Sequence, residues 1–333
     1  MPNLMLTNRC NIKCDFCFAV DMLPETPSAS SNASFGVFQA YIDLLDRAGL
    51  DQARLLGGEP TLHPEFSKFL EYARARGKKI LVFTNGLIPK PAMLALMKIP
   101  PVECTALINL ASGDASPAVR RRQEFALAKL GQRACPGYTI SRMDHPDLTQ
   151  LLDLIDRTGC QRCLRIAMAQ PSGGGNKFIH PKQYRRVAQR VLTLASEAGR
   201  RGIRVEFDCG FVRCMFTNDE IETLRESGAS VAWHCSPVWD ITPEAVAFPC
   251  FALTERLRIP QGLDRSLEEL QIEFDSALSI LRVAGVYPEC SSCEVRAVGG
   301  CSGGCLAVAL RRMRSTPITH TLSAAEAAAF LNL

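Results

Sequence analysis

The stretch CNIKCDFC, residues 10–17, sets Cys10, Cys14 and Cys17 in C-x3-C-x2-C spacing, soon after the apolar run Leu4 to Leu6. Three thiols this close together predict a metal or cluster site, because one short loop can wrap its sulfurs around a metal centre. A closed structural zinc site or a fully protein-bound iron-sulfur cluster takes four ligands. This loop supplies three, and the missing ligand is the first indication of function.

A second motif, LLGGEPTLHP at residues 55–64, follows the short apolar run Ala53 to Leu56. Such a run suits a buried parallel strand. The strand then stops at two glycines, which let the backbone pass closer to a ligand than a residue with a side chain would allow. The motif therefore predicts a ligand contact at the end of this strand.

Together the two motifs resemble the radical SAM superfamily. The resemblance implies that the three cysteines hold a four-iron four-sulfur cluster whose fourth iron is chelated by S-adenosylmethionine. One electron then cleaves this cofactor to methionine and a 5′-deoxyadenosyl radical, which abstracts hydrogen from a substrate. The resemblance places Phe16 near the adenine and the GGEP motif at the methionyl ammonium, with Glu59 as its counter-charge. The motif residues are Gly57, Gly58, Glu59 and Pro60. A three-cysteine zinc loop is the alternative.

The composition excludes several classes of protein. A chain of 333 residues can bury a substantial core, and its net charge of +4 is too balanced to predict nucleic-acid binding. No apolar stretch reaches the roughly 18 residues of a membrane span, and no signal sequence is evident. We expect a cytoplasmic protein whose 15 cysteines serve oxygen-sensitive clusters rather than disulfides.

Apolar runs and helical stretches alternate through the first two-thirds of the chain, which indicates parallel βαβ units. Six such units match the partial (β/α)6 TIM-like barrel of radical SAM enzymes, an α/β fold with its ligands at the strand C-termini. We predict this barrel over residues 1–205 and a cysteine-rich extension over residues 206–333. The predicted strands are Asn3 to Thr7, Ala53 to Leu56, Lys79 to Thr84, Glu103 to Leu110, Gly137 to Arg142 and Cys163 to Ala169. The predicted helices are Phe35 to Ala48, Pro64 to Arg76, Pro91 to Met97, Pro117 to Leu130, Pro146 to Thr158 and Pro181 to Ala198.

Polar residues at the ends of the third to fifth strands are candidate cofactor contacts. In the family, polar groups at these ends hold the ribose hydroxyls and the methionyl carboxylate, and a guanidinium suits the carboxylate because the pair is bidentate. Ordinary loop capping is the alternative for each. The candidates are Thr84, Asn85, Asn109, Ser112, Ser141 and Arg142. Four further cysteines, Cys104, Cys135, Cys160 and Cys163, are interpreted as core residues, although Cys160 and Cys163 also have the spacing of a metal or redox pair.

The C-terminal third carries eight more cysteines around a predicted helix from Ser266 to Val283 with a Ser266/Glu269 capping box. This order, with the run CSSCEVRAVGGCSGGC, resembles the SPASM extension of radical SAM enzymes, which holds one or two auxiliary four-iron four-sulfur clusters. By resemblance Cys235, Cys250 and Cys305 belong to the nearer cluster and Cys290, Cys293 and Cys301 to the outer one, with Cys209 and Cys214 as candidates to complete them. The spacing before Cys301 is wider than in the family, and no cysteine follows Cys305. A single cluster, a cluster with an open site, or zinc therefore stays possible.

The family resemblance leaves the substrate open. We predict a ribosomally made peptide that is crosslinked, epimerised or oxidised; a small molecule, such as a carbohydrate or nucleoside, and a non-catalytic metal-binding scaffold are the alternatives. Phe251 stands where sulfatase maturases carry an aspartate base, which argues against that activity. Too few residues precede Cys10 for a winged leader-binding domain, so we expect a separate leader-peptide-binding protein or direct capture, with flavodoxin or ferredoxin as electron donor. Asp208, His234 and Asp240 are weak candidates for the acid or base.

Overall fold

Ten strands form one sheet in the computed structural model, which describes residues 1–23, 31–111, 115–144, 147–173, 175–236, 238–254 and 256–315. The strands lie in the order β10-β9-β1-β2-β3-β4-β5-β6-β7-β8, and all neighbours are parallel except β9 and β10. The strands are β1 (Asn3–Thr7), β2 (Gln52–Gly57), β3 (Lys79–Thr84), β4 (Cys104–Leu110), β5 (Ala134–Ile140), β6 (Cys163–Met168), β7 (Arg204–Phe207), β8 (Ser230–Val231), β9 (Asp240–Ile241) and β10 (Ala247–Phe248). The sheet has two free edges, which confirms the partial barrel.

A helix follows each of the first six strands, as parallel pairing requires. The helices are α1 (Phe35–Arg47), α2 (Phe66–Ala75), α3 (Lys90–Met97), α4 (Pro117–Leu130), α5 (Gln150–Thr158), α6 (Tyr184–Arg200), α7 (Asn218–Glu226), α8 (Leu267–Ala284), α9 (Glu294–Ala297) and α10 (Leu306–Ser315). No helix in the described part of the chain is long and apolar enough to cross a membrane.

Local sequence explains where several helices begin. The hydroxyls of Ser34 and Ser116 accept hydrogen bonds from backbone amides in the first turns of α1 and α4. Ser266 and Glu269 form the predicted reciprocal capping box at α8. Between the first helices and the sheet, the rings of Phe38 and Phe69 stack with centroids 4.4 Å apart. The two rings belong to the core that α1 and α2 share with the first three strands.

The sequence prediction differs from the structure mainly at element ends and in the last four strands. β5 runs from Ala134 to Ile140 rather than from Gly137 to Arg142, so Ser141 and Arg142 lie just beyond it. Helix α5 begins at Gln150; Pro146, its predicted start, lies outside the described residues. β7 to β10 have only two to four residues each, and β7 spans the predicted domain boundary at 205/206. That boundary stays a prediction.

Candidate functional site

The cysteine loop and the GGEP motif lie against each other at the ends of β1 and β2. The amide of Gly58 donates to the carbonyl of Thr7 at 2.8 Å, and the amide of Glu59 donates to the carbonyl of Arg9 at 2.8 Å. A Cβ on Gly57 would lie 2.2 Å from the Thr7 carbonyl oxygen, and one on Gly58 would lie 2.3 Å from that of Arg9. Both glycines are therefore required by the close approach of the cysteine loop itself.

Three thiols share this loop, and their charges influence one another. Burial, followed by the charges of Cys17 and Cys10, raises the pKa of Cys14 to about 12. Burial also raises the pKa values of Cys10 and Cys17. Three crowded thiols suit a cationic centre, because bound metal compensates the thiolate charges that burial and mutual repulsion disfavour. The donor set, three sulfurs from one loop, fits an iron-sulfur cluster that takes its fourth ligand from elsewhere.

Glu59 is fully buried and joins β2 to β3. Its Oε1 accepts from the amide and hydroxyl of Thr61, at 3.2 and 2.5 Å, and from the Thr84 hydroxyl at 2.8 Å. Its Oε2 accepts from the amide of Asn85 at 2.7 Å. Burial outweighs these donors and raises the pKa of Glu59. The predicted cofactor residues Thr84 and Asn85 are thus brought to Glu59, which ties the two strand ends together.

Two asparagines that the sequence did not mark out hold the cysteine loop from either side. Asn11 accepts a hydrogen bond from the Asn85 side chain at 2.8 Å and donates to the Leu87 carbonyl at 3.0 Å. Asn176 donates to the carbonyl of Phe16 at 3.1 Å. The side chain of Phe16, expected near the adenine, is largely buried. No local pattern could have identified these asparagines, because their partners are distant in sequence.

The other predicted cofactor residues differ from one another in exposure and in hydrogen-bond partners. The side chain of Asn109 is exposed, whereas Ser141 is buried. Arg142 donates to both carboxylate oxygens of Asp144, at 2.7 and 2.5 Å. Ser112 lies outside the described residues. Their assignment as cofactor contacts stays a prediction.

The eight C-terminal thiols divide into two sets of four. The charge of Asp208, burial, and then the charges of Cys235 and Cys250 raise the pKa of Cys209. A hydrogen bond with Cys235 contributes most to the raised pKa of Cys305, which the charges of Cys250 and Cys209 raise further. The same hydrogen bond lowers the pKa of Cys235 to about 7. We call these residues the first thiol set: Cys209, Cys235, Cys250 and Cys305.

Cys214 lies near the remaining three C-terminal cysteines, Cys290, Cys293 and Cys301. Burial, followed by the charges of Cys290 and Cys301 and then of Cys293, raises the pKa of Cys214 to about 11. We call these residues the second thiol set: Cys214, Cys290, Cys293 and Cys301. A Cβ on Gly285 would lie 2.4 Å from the Cβ of Cys290, so the end of α8 is closely apposed to this set. The structure thus brings Cys209 to one predicted trio and Cys214 to the other.

The donor chemistry of each set fits a four-iron four-sulfur cluster, and zinc is the alternative. Among the described residues, no three His, Cys, Asp or Glu side chains are gathered closely enough to hold one metal ion. Zinc needs its sulfur ligands at about 2.3 Å from one centre. The donor chemistry, four thiols per set, matches the ligand number of a four-iron four-sulfur cluster.

Each of the three acid-base candidates has an ion-pair or hydrogen-bond partner. Asp208 forms an ion pair with Arg165 at 2.8 Å, and His234 Nε2 lies 2.8 Å from the carbonyl oxygen of Gly299. Asp240 is buried and accepts from the Asn3 side-chain amide at 2.6 Å. Burial raises the pKa of Asp240 to about 7. A raised pKa of this kind is expected of a group that exchanges a proton near neutrality.

The remaining cysteines are buried, as predicted, but Cys163 has a different neighbour. Its sulfur lies 2.6 Å from that of Cys135, on the adjacent strand β5. The contact lowers the pKa of Cys163 and raises that of Cys135. Cys160 instead accepts a hydrogen bond from the Thr158 hydroxyl. The sequence pair Cys160 and Cys163 is therefore not the closest thiol pair in the fold.

Comparison with known proteins identifies relatives for part of the chain. Residues 4–124 match the Radical SAM superfamily. The antilisterial bacteriocin subtilosin biosynthesis protein AlbA of Bacillus subtilis is 34% identical over 93 residues, which are 28% of this chain and 20% of AlbA. The mycofactocin maturase MftC of Mycobacterium ulcerans is 28% identical over 210 residues, which are 56% of this chain and 55% of MftC. The match thus spans about a fifth of AlbA and just over half of MftC.

Solved structures share the fold over most of the chain. Streptococcus suis SuiB bound to its precursor peptide SuiA superposes with a TM-score of 0.63, at 15% identity, covering 92% of this chain and 72% of SuiB. The enzyme anSMEcpe with bound AdoMet and the Kp18Cys peptide gives a TM-score of 0.62 at 17% identity, covering 96% of this chain and 91% of that one. At this identity the likeness establishes the fold.

Proposed function

We propose that this chain is a radical SAM enzyme that cleaves S-adenosylmethionine reductively and abstracts hydrogen from a ribosomally synthesised peptide. One observation carries the proposal. The loop of Cys10, Cys14 and Cys17 is joined by backbone hydrogen bonds to the GGEP segment. A three-ligand cluster site and a segment that the family uses for the cofactor are therefore adjacent in the fold.

The cysteine loop would hold the first cluster, which together with S-adenosylmethionine would supply a 5′-deoxyadenosyl radical when both are bound. The chain's own residues organise this place. Glu59 fixes the ends of β2 and β3, while Asn11 and Asn85 brace the loop. The two thiol sets would hold two auxiliary four-iron four-sulfur clusters. We infer that an external flavodoxin or ferredoxin supplies the electron.

A peptide substrate is supported by the roles of the relatives and by the peptides bound in the related structures. AlbA serves biosynthesis of a bacteriocin, MftC is a maturase, and SuiB and anSMEcpe were solved with peptides bound. The proposed modification is a crosslink, an epimerisation or an oxidation, and a separate leader-peptide-binding protein is a proposed partner. A small-molecule radical enzyme is the second candidate, because an S-adenosylmethionine-dependent nucleotide dehydratase is 35% identical over 85 residues.

Anaerobic reconstitution followed by assay for 5′-deoxyadenosine tests the reaction type. The parent enzyme with dithionite is expected to release 5′-deoxyadenosine, and a variant with Cys10, Cys14 and Cys17 all replaced by alanine is expected to release none. Cys104→Ala, which removes a buried thiol outside all three sites, is the matched control. A triple variant that still cleaves the cofactor would exclude this loop as the site.

Iron counting on the same triple variant tests the auxiliary clusters separately. With the first cluster removed, about eight irons per chain are expected if both thiol sets are loaded and about four if only one is. Little iron together with bound zinc would contradict the assignment of both sets.

A further inference from the structure

Two arginines meet over one phenylalanine ring on the concave face of the sheet. The guanidinium carbon of Arg54, on β2, lies 5.4 Å from the centroid of the Phe83 ring, and that of Arg165, on β6, lies 5.9 Å from it. Phe83 is on β3, and β4 and β5 separate it from β6. Arg165 reaches the ring only because the sheet curves, so these three side chains lie inside the partial barrel.

The side chain of Arg54 is partly buried, and one of its donors has no acceptor. Its Nε is buried and makes no hydrogen bond, and no ion pair of Arg54 is found within the described ranges. An unpaired buried donor is unfavourable, and an unpaired charge more so. Burial and the charge of Arg165 both lower the pKa of Arg54, so the second arginine adds repulsion rather than compensation.

The acidic groups around Arg54 already have other partners. Asp208 forms an ion pair with Arg165 at 2.8 Å, and Asp240 accepts from Asn3 at 2.6 Å. Asp208 and Asp240 attract Arg54 at a distance, but within the described residues neither carboxylate forms a hydrogen bond or an ion pair with its guanidinium.

Arg54 lies on the strand that ends in the GGEP motif. It stands three residues before Gly57, which is about 10 Å along an extended strand. A group bound to Arg54 would hold the rest of the molecule on the concave face, beneath the proposed cofactor site.

We propose that Arg54 and Arg165, with Phe83 between their strands, form a binding site for a carboxylate of the substrate peptide, which deepens and rests on the proposed function. A guanidinium matches a carboxylate with two parallel hydrogen bonds, and the Phe83 ring offers an apolar surface to the methylenes beside it. The carboxylate belongs either to an aspartate or glutamate side chain or to the C-terminus of the peptide.

Binding of small probes to the reconstituted enzyme with S-adenosylmethionine, without reductant, tests the site. N-acetylglutamate N-methylamide presents a side-chain carboxylate, N-acetylalanine presents a terminal one, and N-acetylglutamine N-methylamide is the neutral isostere. Calorimetry or NMR titration is expected to show one acidic probe binding at least about tenfold more tightly than the amide. The tighter acid identifies the source of the carboxylate. Equal affinity for all three probes, or tighter binding of inorganic phosphate, would overturn the proposal.

Variants assign the effect to the two arginines. Arg54→Gln and Arg165→Gln are each expected to weaken the acidic probe about tenfold and to leave the amide probe unchanged. Arg122→Gln removes the same charge from an exposed position on α4 and is the matched control. If Arg122→Gln weakens the acidic probe equally, the effect is one of net charge and the proposal is wrong.

Thermal melting excludes a purely structural role for Arg54. Because its guanidinium loses only the contact with the Phe83 ring, Arg54→Gln is expected to lower the melting temperature by no more than about 2 °C. A clear drop in melting temperature would show that Arg54 stabilises the fold and would overturn the proposal. None of these measurements requires turnover, so release of 5′-deoxyadenosine by the parent enzyme tests the proposed function independently.

Discussion

Replacing Glu59 by glutamine is expected to destabilise the enzyme even when no S-adenosylmethionine is bound. The carboxylate accepts four hydrogen bonds, two from Thr61 and one each from Thr84 and Asn85. A glutamine keeps one oxygen and places an NH2 group where the other was. If that group faces Asn85, the backbone amide there meets a second donor; if it is turned over, the amide of Thr61 does. Either orientation leaves one buried N–H unpaired.

The expected cost follows from that orphaned donor. A buried N–H without an acceptor costs about 1–3 kcal/mol, and the neutral amide also replaces charge-assisted bonds with weaker ones. Against this, glutamine avoids the burial of a charge, which raises the pKa of Glu59. We therefore expect a net loss of about 1–3 kcal/mol, or roughly 2–6 °C in melting temperature for a chain of this size.

The assay compares anaerobic melting of reconstituted variants with equal iron content and no added cofactor. Glu65→Gln is the control, because Glu65 forms only an exposed ion pair with Lys68. That change is expected to leave the melting temperature close to that of the parent, because exposed ion pairs contribute little to stability. If Glu59→Gln melts with the parent, the four hydrogen bonds do not hold the strand ends, and any effect of Glu59 would be confined to cofactor binding.

Three further predictions concern groups away from the GGEP motif. Cys209→Ser and Cys214→Ser are expected to change different components of the auxiliary-cluster EPR signal, and identical spectra would contradict two separate thiol sets. Because burial raises the pKa of Asp240 from 3.8 to about 7, the folded state retains a proton that the unfolded state releases, so stability should fall as pH rises through this range. Asp240→Asn should flatten that slope in melting curves at roughly pH 4 to 7; an unchanged slope would refute the assignment. Diamide oxidises two neighbouring thiols to a disulfide and is itself reduced to the hydrazine. It should crosslink Cys135 to Cys163. Recovery of both residues as free thiols after peptide mapping would exclude the pair.

Local sequence was sufficient for the first part of the fold. β1 and β3 begin and end at the predicted residues, because each is an apolar run long enough to be recognised. The adjacency of the cysteine loop and the GGEP motif was also predictable, since both follow neighbouring parallel strands. The motif did not indicate that its glycines are required by the close approach of the loop that follows β1, and not by a ligand alone.

The short strands and the contacts across the barrel could not be predicted in the same way. β9 and β10 have two residues each, and no periodicity can be seen in two residues. β9 forms because it pairs with β1, where Asn3 lies opposite Asp240. These two residues are far apart in the sequence, and only the folded chain brings them together. The meeting of Arg54 and Arg165 over Phe83 likewise depends on the curvature of the sheet. An arginine at one position of a strand does not indicate which side chains of other strands it will contact.

The first thiol set joins the two sides of the open barrel. Cys209 follows β7 near one edge of the sheet, and Cys250 follows β10 at the other. The charge of Cys250 nevertheless contributes to the raised pKa of Cys209, so the two edges approach each other at these sulfurs. Thiols that lie close together repel one another when they are ionised. A bound cluster would offset that repulsion and connect the two edges of the sheet. The proposed auxiliary cluster would therefore close the side of the barrel through which the concave face, with Arg54 on it, is otherwise open.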